Sequence, residues 1–144
     1  MAKKTFFVLI CFISLIIFVS TLHSQGSKKT ITLPSGEVVC DLNGEWDVFV
    51  ENYGPRSEFG SYPSVYKITQ QGSSFMAIRM IQTPWGEHRG STAIRGEFDK
   101  SGFKKVQIIS TGMGPLDCKG QISEDGNKMI IDDGESARVT LTRK

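Results

Sequence analysis

The chain has 144 residues, with 17 basic and 15 acidic side chains and 39% hydrophobic residues. This length suits one small domain and is too short for two. Two of the basic residues, Lys3 and Lys4, precede residue 25, so the remaining 15 balance the 15 acidic residues. A neutral domain with interspersed charges lacks the electrostatic footprint of nucleic-acid binding, and no nucleic-acid partner is expected.

The amino terminus is typical of a secretory signal. Lys3 and Lys4 form a basic start, and residues 6–19 form an apolar stretch interrupted only by Ser14. This pattern predicts a signal peptide over residues 1–24. The alternative is a retained N-terminal anchor, since the apolar stretch with its flanks approaches the length of a membrane-spanning helix. Both alternatives predict an extracytoplasmic protein, periplasmic or secreted, which meets a membrane only through an uncleaved N-terminal segment.

The rest of the chain reads as a spacer followed by one β domain. Residues 25–36 begin with a polar segment containing Gly26 and Ser27, which predicts a flexible spacer. Residues 37–144 contain short alternating runs separated by Gly, Asn, Asp and Pro, with no sustained helical periodicity. The predicted strands are 37–41 as a short lead-in, then 44–51, 64–70, 74–81, 91–98, 103–110, 116–123, 128–132 and 138–143.

The short connections between these strands favour antiparallel hairpins. A meander of about eight strands exposes two edges unless it closes, and closure into an up-and-down barrel removes both edges. The alternative is a two-sheet sandwich with Greek-key crossings, which needs longer connections than most of those present. We therefore predict an all-β, eight-stranded antiparallel up-and-down barrel.

Gly44-Glu45-Trp46, at the start of the first core strand, resembles the Gly-x-Trp signature of the lipocalin and calycin superfamily. In that family the Trp closes one end of the barrel, and an Arg from the last strand packs over it. Arg143 shares the strand face of Val139 and Leu141, so the resemblance implies a cation–π contact between Arg143 and Trp46. The chain is similar to small bacterial extracytoplasmic members of this group.

Removal of the signal leaves two cysteines, Cys40 and Cys118. An even pair in a small exported domain favours a disulfide, and the alternative is two buried thiols that never meet. Two distant cysteines with only His23 and His88 in the chain offer no metal-ligand spacing, so no metal site is predicted.

Catalytic motifs are missing from the sequence. There is no Gly-rich phosphate loop, no His-Glu-x-x-His and no Cys-x-x-Cys. His88 as a base with Glu87 as its orienter is disfavoured because adjacent residues usually point apart. Glu45 and Asp47 form a carboxylate pair, but alternation places both outside the barrel. We therefore expect neither an enzyme nor a cofactor.

Two loops rich in aromatic and Arg residues are the candidate binding elements. In a meander, the loop 52–62 and the loop 83–90 open at the same end of the barrel, where recognition surfaces commonly form. The alternative is that their aromatic side chains fold down as a lid over the core. The candidate ligand-binding residues are Tyr53, Arg56, Phe59, Tyr62, Trp85, His88 and Arg89. On the strand 74–81, Met76, Ile78 and Met80 form an apolar stripe that we expect to fill the core.

Two functions remain open from the sequence. The first is a non-enzymatic binding protein that holds a small apolar or amphipathic ligand at the open end of a calycin-like barrel. It weakens if large side chains fill the interior, namely Trp46, Phe75, Met76, Phe98 and Phe103. The second is a protein-interaction barrel, such as a periplasmic protease-inhibitor-like module. In inhibitors of that type the N-terminal segment enters the enzyme's cleft, and residues 25–36 are the corresponding arm here.

Overall fold

The computed structural model describes residues 28–110 and 112–144, so the predicted signal segment and anchor lie outside the described residues. This part of the chain forms ten β-strands and a 3₁₀ helix, Gly54–Phe59. The strands are β1 (Thr30–Thr32), β2 (Val38–Cys40), β3 (Gly44–Asn52), β4 (Tyr62–Gln71), β5 (Ser74–Arg79), β6 (Thr92–Asp99), β7 (Gly102–Ser110), β8 (Gly114–Ile122), β9 (Lys128–Asp132) and β10 (Ala137–Arg143). Among the described residues, no helix is long and apolar enough to cross a membrane.

Strands β3 to β10 close into a single antiparallel up-and-down barrel. Each strand pairs with the next in sequence, and β10 returns to pair with β3, with Val139 opposite Val50 and Arg143 opposite Trp46. The predicted fold class is therefore confirmed, and the sandwich alternative is wrong. The short connections decide this outcome, because each strand reaches only its neighbour until the last closes on the first.

Alternation along each strand directs one set of side chains into the barrel. On β3, Trp46, Val48 and Val50 are buried, while Asp47 and Phe49 are exposed. Burial of an apolar side chain of this size stabilises the fold by about 1.5–3 kcal/mol relative to exposure. The inward faces of the eight strands together provide the hydrophobic core.

Trp46 and Arg143 close one end of the barrel, which we call the closed end. The Arg143 guanidinium carbon lies 4.4 Å from the Trp46 ring centroid. Trp46 Nε1 donates to Leu42 O at 3.0 Å, and Arg143 donates to Asn43 O at 3.0 Å and to Asp41 O. The expected packing of Arg143 on Trp46 is thus present.

The segment just before the barrel differs from the flexible spacer expected over residues 25–36. Strand β1 pairs antiparallel with β2, and this N-terminal hairpin is extended by the hydrogen bonds Leu33 N to Glu37 O at 2.8 Å and Asp41 N to Lys29 O at 2.9 Å. The Leu33 side chain is buried against the core. Backbone pairing and burial of Leu33 give residues 30–36 a defined structure despite the polar composition around them.

The expected disulfide between Cys40 and Cys118 is wrong, because both thiols are free. Cys40 ends β2 of the N-terminal hairpin at the closed end, where its thiol lies 4.0 Å from Gly126 O. Cys118 lies in the middle of β8, opposite Val106, and its thiol donates to Leu116 O at 3.2 Å. The two residues occupy different elements, and burial raises the pKa of both thiols.

The expected inward stripe on β5 is also wrong. Phe75 and Ala77 face the core, whereas Met76 is 46% exposed and Ile78 is half-buried on the outer surface. The paired strand β6 explains why Phe75, and not Met76, faces the core. Gly96 lies opposite Phe75, and a Cβ on Gly96 would come within 2.8 Å of the Phe75 ring. The missing side chain therefore makes room for Phe75 inside the barrel.

Candidate functional site

The predicted binding residues all lie at the barrel end opposite Trp46, which we call the loop end. It carries the 3₁₀ helix, the loop 80–91 between β5 and β6, the β7–β8 turn and the β9–β10 turn. Arg56 and Phe59 belong to the 3₁₀ helix, Tyr53 directly precedes it, and Tyr62 begins β4. Trp85, His88 and Arg89 belong to the loop 80–91.

Local sequence explains the compact course of the first segment. Pro55 occupies the first turn of the 3₁₀ helix, where its fixed φ is favourable, and Gly60 ends the helix with φ of 62°. Gly54, with φ of 51°, approaches the β9–β10 turn so closely that a Cβ would lie 2.6 Å from Glu135 O. Asn52 Nδ2 donates to Gly60 O at 2.7 Å. The helix is thereby held down on the neighbouring turn.

Tyr53 ties the same segment to β9. Its hydroxyl donates to Asp132 Oδ1 at 2.6 Å, and this hydrogen bond raises the pKa of Tyr53 to about 12. Asp132 also accepts a hydrogen bond from Arg138 Nε at 2.7 Å. Both groups of the Tyr53–Asp132 pair are thus engaged with each other, which assigns Tyr53 a structural contact.

The two candidate loops meet through an aromatic pair. The rings of Phe59 and Trp85 lie edge to face, with centroids 5.3 Å apart and planes at 79°. The Arg56 guanidinium carbon lies 5.9 Å from the Phe59 ring centroid. Trp85 nevertheless remains 54% exposed, and His88 and Arg89 are exposed beside it. The sequence prediction that these loops share one end is correct.

Beneath these loops lies a buried ion pair that sequence reasoning missed. Arg79 Nη2 and Glu87 Oε2 are 2.8 Å apart, and both side chains are buried. Arg79 also donates to Ser91 Oγ at 3.2 Å, to Thr92 O at 2.5 Å and to Ile109 O at 2.7 Å. The sequence does contain a signal for this burial, because Arg79 lies two residues after Ala77 and therefore on the same inward face of β5. Glu87 is therefore committed to Arg79, while His88 points to solvent.

Arg56, in the 3₁₀ helix, reaches the end of β7 that Arg79 also contacts. Its Nη2 donates to Ser110 Oγ at 3.4 Å, next to the Ile109 carbonyl that Arg79 contacts. Arg56 Nε and Nη1 and Arg79 Nε are buried without a hydrogen-bond partner among the described residues. Burial raises the pKa of Tyr62, and the charge of Glu87 acts in the same direction. The charges of Arg79 and Arg56 oppose this increase.

Unpartnered acceptors lie on the adjoining strands. The Asn52 Oδ1 and Ser64 Oγ atoms are buried without a hydrogen-bond partner within residues 28–110 and 112–144. A buried polar group without a partner costs about 1–3 kcal/mol. The loop end therefore combines an aromatic cover with an internal set of unused donors and acceptors, an arrangement suited to binding polar groups.

The closed half of the barrel is filled by side chains. Trp46, Phe75 and Phe98 are buried, and Phe103 lies 5.7 Å from Phe75 and 5.0 Å from Phe98 between ring centroids. Of the five residues named as potential filling, Trp46, Phe75 and Phe98 occupy the interior, Phe103 is half-buried against them, and Met76 lies outside.

No group of three or more His, Cys, Asp or Glu side chains in the described part of the chain is arranged to hold a metal ion. The loop end thus offers aromatic surface, cationic side chains and hydrogen-bonding groups. No family model, no curated protein and no solved structure matches the chain.

Proposed function

We propose that this chain is a non-enzymatic, extracytoplasmic binding protein of the lipocalin-like type, and that its loop end binds a protein partner. The observation that carries the proposal is the exposure of Trp85 while its ring is fixed edge to face on Phe59. Held aromatic side chains with Arg neighbours are the residues that most often dominate protein interfaces. The basic and apolar N-terminal sequence supports an extracytoplasmic location.

Further exposed apolar side chains lie at the same end. Ile81 and Met113 are about as exposed as Trp85, one on the loop 80–91 and the other on the β7–β8 turn. Arg89 and His88 add polar groups at the margin. An apolar centre with a polar margin matches the composition of protein interfaces, which favour aromatic residues, Met and Arg.

A filled barrel supports a protein partner over a ligand deep in the interior. The closed half holds the buried side chains of Trp46, Phe75 and Phe98, so a ligand placed there would have to displace packed core groups. The inhibitor-like version with residues 25–36 as an inserting arm is also less favoured, because Thr30–Thr32 and Leu33 belong to the N-terminal hairpin. The loops of the opposite end are thus the better contact surface.

The test compares the full chain with two variants in affinity capture from extracytoplasmic extract, followed by measurement of Kd for the captured protein. Trp85→Ala should weaken binding at least about tenfold, as expected of a central interface residue. Phe49→Ala is the matched control, since Phe49 is an exposed aromatic on the outer wall of the barrel. Equal binding by the wild-type chain and Trp85→Ala would contradict the proposal.

A second candidate function is supported by the unused donors of Arg56 and Arg79. An amphipathic ligand with an anionic head would satisfy Arg56 Nε and Nη1 while its apolar part contacts Phe59 and Trp85. Dodecanoate is a suitable probe, followed by fluorescence of Trp85 in a Trp46→Phe background. Quenching that disappears in Arg56→Gln would favour this candidate, and no change on titration would reject it.

A further inference from the structure

A groove of about 660 Å³ lies at the closed end, between the N-terminal hairpin and the barrel. One wall is formed by Val38 to Cys40 of the hairpin, and the other by the β6–β7 turn and the end of β8. Its volume falls within the roughly 300–1,000 Å³ of small-molecule sites. The groove lies far from the loop end, because the length of the barrel strands separates the two ends.

The groove has an apolar floor that the fold leaves accessible. Val38 is 61% exposed, the largest exposure among the described large apolar side chains, and Phe103 and Ile122 are half-buried beside it. Gly120 makes room for the Phe103 ring, since a Cβ on residue 120 would come within 2.5 Å of that ring. Apolar contact surface is therefore available without any rearrangement of the core.

Cationic side chains stand at the margin of the groove. Lys28 and Lys100 both line it, and Lys100 Nζ lies 3.1 Å from Oε1 of Glu37, the residue before Val38 in the hairpin. The third charged lining residue, Asp99, accepts hydrogen bonds from Ser101 N at 2.8 Å and Ser101 Oγ at 2.6 Å. Oδ1 of Asp99 is thus engaged within its own turn, and Lys28 and Lys100 are the cationic residues of the lining.

We propose that this groove binds a small amphipathic carboxylate, whose chain packs on Val38 and Phe103 and whose head group pairs with Lys28 and Lys100. Glu37 competes with the ligand for Lys100, because both offer a carboxylate to the same ammonium group. The ion pair between Lys100 and Glu37 joins the hairpin to the β6–β7 turn. On binding, the carboxylate of the ligand takes the place of the Glu37 carboxylate beside Lys100. This site is independent of the partner proposed for the loop end.

The experiment is calorimetric titration of the full chain with dodecanoate, with dodecyltrimethylammonium as the probe of opposite charge. Dodecanoate should bind and the ammonium should bind at least tenfold more weakly. Val38→Glu places a negative charge on the floor and should weaken dodecanoate binding at least tenfold. Glu37→Gln removes the competitor and should tighten binding about two- to fivefold, the range of an exposed ion pair.

Val38 and Phe49 are exposed and Glu37 and Arg56 are partly exposed, so the variants are expected to fold, and circular dichroism checks this. Phe49→Glu introduces the same charge at an exposed apolar site elsewhere on the barrel and should bind like the wild type. Three results would overturn the proposal. They are equal binding of both probes, equal weakening by Val38→Glu and Phe49→Glu, and loss of binding through Arg56→Gln in place of Val38→Glu.

Discussion

Arg143 organises the closed end through several contacts made by one side chain. Its guanidinium lies over Trp46 and donates to the carbonyls of Asp41 and Asn43, which precede β3. Gly126 O, in the β8–β9 turn, is a further acceptor at 3.4 Å. A planar group with several fixed donors reaches separate acceptors at once, which a lysine ammonium on a flexible stem does less well.

We therefore expect Arg143→Lys to destabilise the protein by about 1.5–3 kcal/mol, the range for hydrogen bonds to charged groups. Urea unfolding followed by circular dichroism measures the loss. Arg138→Lys is the control, because Arg138 is exposed and makes a surface ion pair with Asp132. Similar midpoints for Arg143→Lys and the wild-type chain would show that the guanidinium geometry is unimportant.

At the scale of an element, the carboxylate of Asp133 accepts most of the side-chain hydrogen bonds that hold the β9–β10 turn. Asp133 Oδ1 accepts hydrogen bonds from the backbone N–H groups of Glu135, Ser136 and Ala137 at 2.7–2.9 Å. The Ser136 hydroxyl donates to Asp133 Oδ2 at 2.5 Å. Partial burial alone would raise the pKa of Asp133, but these hydrogen bonds prevail and lower the pKa from 3.8 to about 2.

This turn predicts a defined pH dependence. Since the pKa of Asp133 is lower in the folded than in the unfolded chain, its ionised form stabilises the fold above about pH 4. The stabilisation is lost as the pH falls towards 2. The difference in free energy of unfolding between the wild-type chain and Asp133→Asn should therefore be largest near pH 6 and shrink between pH 4 and 2.

Guanidinium unfolding at a series of pH values gives this comparison. Asp47→Asn is the control, as Asp47 is exposed on the outer face of β3. A difference that stays constant from pH 6 to 2 would contradict the role of the Asp133 carboxylate.

The same scale shows which elements the sequence could define. On β3, apolar and polar residues alternate, so the inward face containing Trp46 is unambiguous. On β5 both faces are apolar, and alternation alone does not distinguish Phe75 from Met76. The choice depends on Gly96 of the opposite strand. Strand β1 has only three residues, too few for a periodic signal beside polar neighbours.

For the candidate site, the sequence located the loops but missed the charges beneath them. Their common end follows from the meander, which the short connections predict. The ion pair between Arg79 and Glu87 joins residues on a strand and a loop, and pairing across the fold leaves no local pattern. The disulfide prediction was wrong for a related reason. Cys40 and Cys118 belong to separate elements, and only the folded barrel determines the distance between their thiols.

For the molecule as a whole, the Arg79–Glu87 pair links the barrel interior to its cover. Arg79 belongs to β5 and also bonds to the backbone of β6 and β7, while Glu87 belongs to the loop that carries Trp85. Loss of one partner leaves the other charge buried and uncompensated. Such a change typically costs about 3–5 kcal/mol, whereas replacement of both partners by apolar residues costs less.

A double-mutant cycle tests this link. Arg79→Met alone should destabilise the chain by about 3–5 kcal/mol, and the added change Glu87→Leu should restore part of that loss. Denaturant unfolding of the wild type, both single variants and the double variant measures the coupling. Additive effects of the two substitutions would show that the ion pair does not join cover and barrel.

The pairing of β10 with β3 has a consequence for the timing of folding. The first barrel strand finds its final neighbour in the last strand, where Lys144 N donates to Glu45 O at 3.2 Å. A chain that is synthesised amino end first cannot close its barrel until β10 is available to pair with β3. Because contacts between distant residues form slowly, the newly made polypeptide has a period in which the edges of β3 and its neighbours are unpaired.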